Sequence, residues 1–311
     1  MAVFSDIHHL PAFRNAVITV GTFDGVHKGH TSILQELVQC AKEVNGESVL
    51  ITFEPHPRKL LFPDQPLGIL TPLEQKSKLI LETGIEHIVI AQFTEAFSKL
   101  SADDYIENFL VGLFHPHTII IGHDHHFGYD RKGNIGLLKK YETKYAYKLL
   151  EIPARLIDEA AVSSTKIRKA LEAGHVNEAS NMLGRNYSIT GKVVKGAQLG
   201  RTLGYPTANI APSDIDQLIP AIGIYAVYVI HKQMRLKGML SIGFNPTVSD
   251  DKRIKIEVNI FDFDQDIYSE TIDIEFGHRL RDEQKFDSLD ALKAQLHLDK
   301  EKTINYLNHI K

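Results

Sequence analysis

With 311 residues the chain is long enough for two domains of roughly 100 to 200 residues, each with a sizeable core. Its 35 basic and 39 acidic residues give a formal net charge of −4, and no run of Lys or Arg tracks a nucleic-acid backbone, so anionic ligands must be met by local groups. The single Cys40 allows no internal disulfide, the first 15 residues lack the apolar core of a signal peptide, and the longest nearly apolar run, Ile219 to Ile230, falls short of the roughly 20 residues of a membrane span. A cytoplasmic protein that binds neither membrane nor nucleic acid is expected, as a monomer or weak homo-oligomer.

In chain order, residues 16–21 (AVITVG), 48–53 (SVLITF), 87–92 (HIVIAQ), 118–122 (TIIIG) and 147–152 (YKLLEI) are apolar runs of strand length. Between them lie helical patterns: Ile33, Leu37, Ala41 and Val44; Leu73 to Leu81; Tyr105, Phe109 and Leu113; Ile135 to Tyr141. Strand and helix alternating in this way predict a parallel sheet, because parallel neighbours need crossovers and right-handed helical ones supply them. The fold class of this half is α/β, a Rossmann-like doubly wound sheet. Two more helices are expected at 164–173 and 175–183.

Beyond residue 185 the texture changes, which sets the expected domains at 1–185 and 186–311. Tyr187 to Val194, Gly223 to Ile230, Leu236 to Ile242, Ile254 to Phe261 and Glu270 to Phe276 are β-rich segments separated by Gly, Pro, Asn and Asp clusters. Antiparallel strands at this spacing close into a small barrel or a sandwich. A helix from Leu289 to Ile310 should pack on it.

The run AVITVG leads into Gly21-Thr22-Phe23-Asp24-Gly25-Val26-His27-Lys28-Gly29-His30 and then into a helix. Ligands of open α/β sheets gather beyond the carboxyl ends of the strands, where helix N-terminal amides favour anions. This turn, with Gly21, Phe23, Asp24 and Gly29, therefore reads as a phosphate cradle. His27 and His30, three apart, should project from neighbouring positions of the first helical turn and both donate to phosphate. Ser163, Ser164, Thr165 and Arg168, at a second helix start, are candidates for another wall of the same site. His115 and His117 sit at the opposite end of strand 118–122 from His123, His125 and His126, so one shared metal ion is not expected. His123, Asp124 and His126 lie on the ligand-facing edge as candidate substrate contacts.

The second half carries its own cluster. Gly191, Gly196, Gly200 and Gly204 let a loop fold over phosphates and lead into Tyr205-Pro206-Thr207-Ala208-Asn209. Thr207 and Asn209, two apart in an extended segment, face one way and offer a hydroxyl and an amide oxygen to Mg²⁺. Glu257, on a later strand, is the candidate general base for a phosphoryl acceptor.

GTFDGVHKGH resembles the HxGH signature of nucleotidyltransferases. Together with SSTKIR (163–168) and GYPTAN (204–209) it resembles the bacterial bifunctional riboflavin kinase/FAD synthetase family over essentially the whole chain. That resemblance implies a nucleotidyltransferase domain followed by a six-stranded flavokinase barrel with a C-terminal helix. It implies riboflavin, FMN and FAD as substrates and products, ATP as co-substrate and Mg²⁺ as cofactor. It also assigns His27, His30, Ser164 and Arg168 to adenylation, Thr207 and Asn209 to Mg-ATP, and Glu257 to proton removal. Where many members read something like DFRFG, this chain has Asp124-His125-His126-Phe127-Gly128. Three rivals stay open: a kinase whose adenylylating domain has lapsed, an adenylyltransferase for another small phosphate ester, and an RNA-binding protein. Product analysis and a gel shift with RNA separate them.

Overall fold

The structure, a computed structural model, describes residues 1–122, 125–152, 162–196, 200, 203–244 and 254–309. The chain forms two compact units, Met1–Ser164 and Thr165–Lys311.

The first unit is built on a six-stranded sheet in the order β1-β4-β3-β2-β5-β6, from Ala2–Phe4, Val17–Val20, Ser48–Glu54, His87–Gln92, Thr118–Gly122 and Lys148–Ile152 in chain order. Every pairing is parallel. The alternation of strand side chains divides the core: Ile18, Val49 and Ile51 pack on one face with the helix around Phe109, while Val17 and Leu50 pack on the other with Leu34, Leu37 and Ile80. β3 and β5 flank β2 on opposite sides, so the strand order reverses at β2, where a doubly wound sheet opens its binding crevice. Strand β1 was not expected, because three residues are too few for a period to register.

The helical pattern at Tyr105, Phe109 and Leu113 resolves into one helical run with a π-helix, Tyr105–Val111, between short α-helical ends, Ala102–Asp104 and Gly112–Phe114. A repeat of four apolar residues suits the wider coil as well as the α-helix, which is why the spacing did not separate them.

The second unit is a closed antiparallel barrel in the order β10-β11-β8-β7-β12-β9, which decides between barrel and sandwich. Its strands are β7 (Ser188–Val194), β8 (Ala208–Pro212), β9 (Gly223–His231), β10 (Met234–Phe244), β11 (Ile254–Ile260) and β12 (Thr271–Arg281). Two helices, Ser164–Glu172 and Val176–Leu183, precede it, and a long helix, Leu289–His309, follows. That last helix is tied to β12 by a buried ion pair in which the Arg281 guanidinium grips the fully buried Asp299 carboxylate through Nε and Nη2.

Candidate functional site

The turn after β2 is held in a conformation that its residues would not choose alone. Phe23 and Val26 adopt φ of 48° and 39°, in the left-handed region that costs most side chains energy. Three sets of polar contacts secure it. The buried Asp24 carboxylate accepts from the backbone N–H groups of Leu70 and Thr71 at 3.0 Å. Ser164 Oγ donates to the Asp24 carbonyl at 2.9 Å. Lys76 Nζ donates to the Thr22 carbonyl at 3.2 Å. Asp24 thus spends its carboxylate on holding the turn closed.

The helix Lys28–Glu43 begins one residue later than the histidine spacing implied. His27 is its N-cap, with Nδ1 accepting from the His30 N–H at 3.3 Å. The expectation that both rings project from the first helical turn is corrected accordingly: capping takes one nitrogen of His27, and in the neutral ring it puts the proton on Nε2 as the donor. The two imidazoles still lie together, stacked with ring centres 3.6 Å apart, and Phe23 tilts against His30 at 5.0 Å. Gly29 is buried in the first turn of the same helix.

A cavity of about 1430 Å³ opens beside Gly21 and Thr22. Its wall is aromatic, from Phe53, Phe62, Phe93, Phe97, Tyr105 and Phe127, and its rim carries Arg58, Arg131 and Asp130 together with Lys99, which pairs with Glu95 at 2.6 Å. Tyr105 and Phe127 stack at 4.9 Å, and burial pushes the Tyr105 phenol far up, so it meets the cavity uncharged. Flat apolar walls with guanidinium groups at the rim suit a planar ring carrying an anion. His125 and His126 line this cavity, whereas His123 and Asp124 lie outside the described residues. His117 sits at the other end of β5, its Nδ1 2.9 Å from Thr118 Oγ1.

Of the second helix start, Ser163 and Ser164 close the first unit, and Thr165 and Arg168 continue the same helix in the second, where Arg168 is buried.

In the barrel, strand register assembles the other cluster. Asn209 on β8 stands directly opposite Glu257 on β11, and the Thr207 hydroxyl lies 3.5 Å from Glu257 Oε1. Lys255, two residues earlier on the same face, places Nζ 3.0 Å from the same oxygen. Asn259 is buried on that face and donates through Nδ2 to the Pro206 carbonyl at 2.6 Å, fixing the approach to Thr207. Gly196 lies so close to Asn209 that a Cβ there would stand 2.1 Å from its amide nitrogen. Gly204 takes φ of 82°, and Gly191 pairs with Pro212 where β7 meets β8. A cavity of about 160 Å³ adjoins Thr207, walled by Val193, Pro206, Ile260 and Phe263. The Thr207 hydroxyl and the Asn209 amide oxygen are hard neutral donors, a pair that suits a Mg²⁺ ion taking its other ligands from phosphate and water.

Lys76, Lys255 and Asn259 were not anticipated. A polar residue two positions from Glu257 was visible in the alternation of β11, and that period was the only signal available for Lys255 and Asn259. Lys76 gave none, since a lysine in an amphipathic helix reads as solvated.

A family model described as FAD synthetase matches residues 10–166, and one described as riboflavin kinase matches residues 183–307. Curated proteins named bifunctional riboflavin kinase/FMN adenylyltransferase are similar over nearly the full length. The one from Buchnera aphidicola subsp. Acyrthosiphon pisum is 35% identical over 302 residues, 96% of either chain. That from Listeria monocytogenes is 36% identical over 292 residues, 93% of this chain and 91% of the relative. That from Escherichia coli is 34% identical over 302 residues, again 96% of each. A crystal structure from Streptococcus pneumoniae, described as a macrolide-efflux protein, superposes with a TM-score of 0.87 at 32% identity and covers 98% of both chains. Among the described residues of the present chain, no helix is long and apolar enough to cross a membrane.

Proposed function

Since this chain belongs to the bifunctional riboflavin kinase/FMN adenylyltransferase family, we propose that its two phosphate-handling clusters divide the family's two reactions between them. The enzyme phosphorylates riboflavin to FMN with ATP and adenylylates FMN to FAD with release of pyrophosphate. We assign the first step to Thr207, Asn209 and Glu257, and the second to the His27–His30 turn with Ser163 and Ser164. The functional boundary we propose lies at 185/186, beyond the end of the first family match at 166 and just inside the second, which starts at 183.

In phosphorylation, the terminal ribityl hydroxyl of riboflavin attacks the γ-phosphorus of ATP and ADP leaves. Glu257 takes the hydroxyl proton, and the Lys255 ammonium stands 3.0 Å from its Oε1. Thr207 and Asn209 would hold Mg²⁺, which when bound supplies positive charge to the triphosphate. Positioning dominates such transfers, and the Asn259 contact to Pro206 and the closeness of Gly196 to Asn209 restrict where those two side chains sit.

In adenylylation, the FMN phosphate attacks the α-phosphorus of ATP and pyrophosphate leaves. That nucleophile is already ionised, so the site needs no base and must instead hold two polyanions together. His27 Nε2–H, His30 and the N-terminal amides of helix Lys28–Glu43 are preorganised donors for this. The aromatic cavity offers a seat for the flavin, and its volume exceeds the roughly 1,000 Å³ upper range of single-ligand pockets, in keeping with two substrates.

The observation that carries the assignment is the register of β8 on β11, which brings Asn209 to Glu257 across 48 positions of sequence. Its test is product analysis of Glu257→Ala. FMN formation from riboflavin should fall by about 10² to 10⁴ while FAD formation from supplied FMN persists; loss of both in a folded protein overturns it.

A further inference from the structure

Lys76, on the helix Leu73–Glu82, is only 5% exposed and lies beneath the turn after β2. Its ammonium donates to the Thr22 carbonyl and to Thr52 Oγ1, each at 3.2 Å, and the Thr52 hydroxyl donates to the same Thr22 carbonyl at 3.2 Å. Thr52 is fully buried, so this triangle is closed off from water. Burial lowers the Lys76 pKa, with the charges of Asp24 and Glu54 acting against that shift. Placing an ammonium there costs the fold stability, and an apolar side chain of the same length would pack without that cost.

What the ammonium does follows from the planarity of the peptide. The Thr22 carbonyl and the Phe23 N–H belong to one trans unit and point in opposite directions. Two donors drawing the carbonyl inward therefore turn the Phe23 N–H toward the open side of the turn. The N–H groups of Thr22 and Phe23 have no acceptor among the described residues, and Thr22 lines the large cavity. Phe23 is the residue whose φ of 48° makes this orientation unfavourable unless something enforces it.

We propose that Lys76, with Thr52 as its intermediary, is a positioning residue for adenylyl transfer, locking the Thr22–Phe23 peptide so that its N–H is presented to a nucleotide phosphate. This rests on the assignment of adenylylation to the His27–His30 turn. Both reactions consume ATP, so one protein supplies its own control. In Lys76→Met the KM for ATP in FAD formation from FMN should rise at least tenfold, while the KM for ATP in riboflavin phosphorylation stays unchanged. A purely structural role would reduce the fraction of active adenylylating sites, lowering kcat alone, and an unchanged KM overturns the proposal whatever kcat does. If Lys76→Met fails to fold, the near-isosteric Thr52→Val decides by the same reading: a threefold or greater rise supports the proposal and no rise overturns it. Absence of FAD formation by the parent protein would instead refute the functional assignment.

Discussion

Replacing Gly196 with Ala should disable one reaction and spare the other. An added Cβ would lie 2.1 Å from Asn209 Nδ2 and 2.5 Å from its Cγ, where ordinary contact begins at 3.4 Å, so the amide must retreat by about 1.3 Å. Asn209 is only 9% exposed, which leaves little room for that movement away from Glu257 and Thr207. Gly196 is not among the glycines with positive φ, so Ala fits its backbone and the effect is steric alone. Misplacing a catalytic group by about 1 Å costs on the order of a hundredfold, or about 2.7 kcal/mol of barrier at 1.36 kcal/mol per decade. The assay follows FMN from riboflavin and FAD from supplied FMN in a single preparation. Phosphorylation should fall by about two orders of magnitude with adenylylation unchanged. A variant that phosphorylates within threefold of the parent would refute the claim that Asn209 must sit where Gly196 allows it.

Glu257→Ala should slow riboflavin phosphorylation by about 10² to 10⁴, the usual contribution of a general base, with a flattened pH–rate profile as the accompanying sign. His30→Ala should reduce FAD formation by about 10² or more while FMN accumulates, and undiminished FAD output by chromatography would reject its role as donor. Burial holds His278 below its ordinary 6.5, where it stacks on Tyr306 at 4.4 Å with Nδ1 2.8 Å from Asn177 Oδ1. The unfolded chain therefore takes up this proton first, so the second unit should keep full stability above about pH 6.5 and lose it as pH falls through the lowered folded value. Thermal melts of His278→Gln should lack that slope, and parallel curves for parent and variant would exclude His278 as its source.

The sheet, the antiparallel strands and both glycine-rich turns were readable because each announces itself locally. AVITVG before GTFDGVHKGH, with Ile33 and Leu37 after it, fixes strand, turn and helix in one short stretch, and Ile256, Val258 and Ile260 alternate cleanly with Lys255, Glu257 and Asn259. Strand β8 was hidden by its composition, since Ala208-Asn209 at one end and Pro212 at the other are turn residues out of context. His27 was misplaced by one position because a histidine can cap a helix or enter it, and only the Nδ1 contact to the His30 amide distinguishes the two. Lys76 and Lys78 look alike in TPLEQKSKL, yet Lys76 is buried against Thr22 and Thr52. That contact spans 54 residues and exists only after the sheet has formed. Local chemistry was legible in the sequence, and the supports that come from distant segments were not.

The wide coil at Tyr105–Val111 gives the aromatic cavity slack in chain length. Such a coil holds a surplus residue relative to an ordinary helix, so losing one position there would let the segment rewind as an α-helix with both flanks close to their present orientation. The edge-on contact of Phe109 with Phe97 and the stack of Tyr105 on Phe127 would then stay within reach. In a regular α-helix the same single-codon deletion would rotate one flank by about 100° against the other and carry the aromatic lining with it.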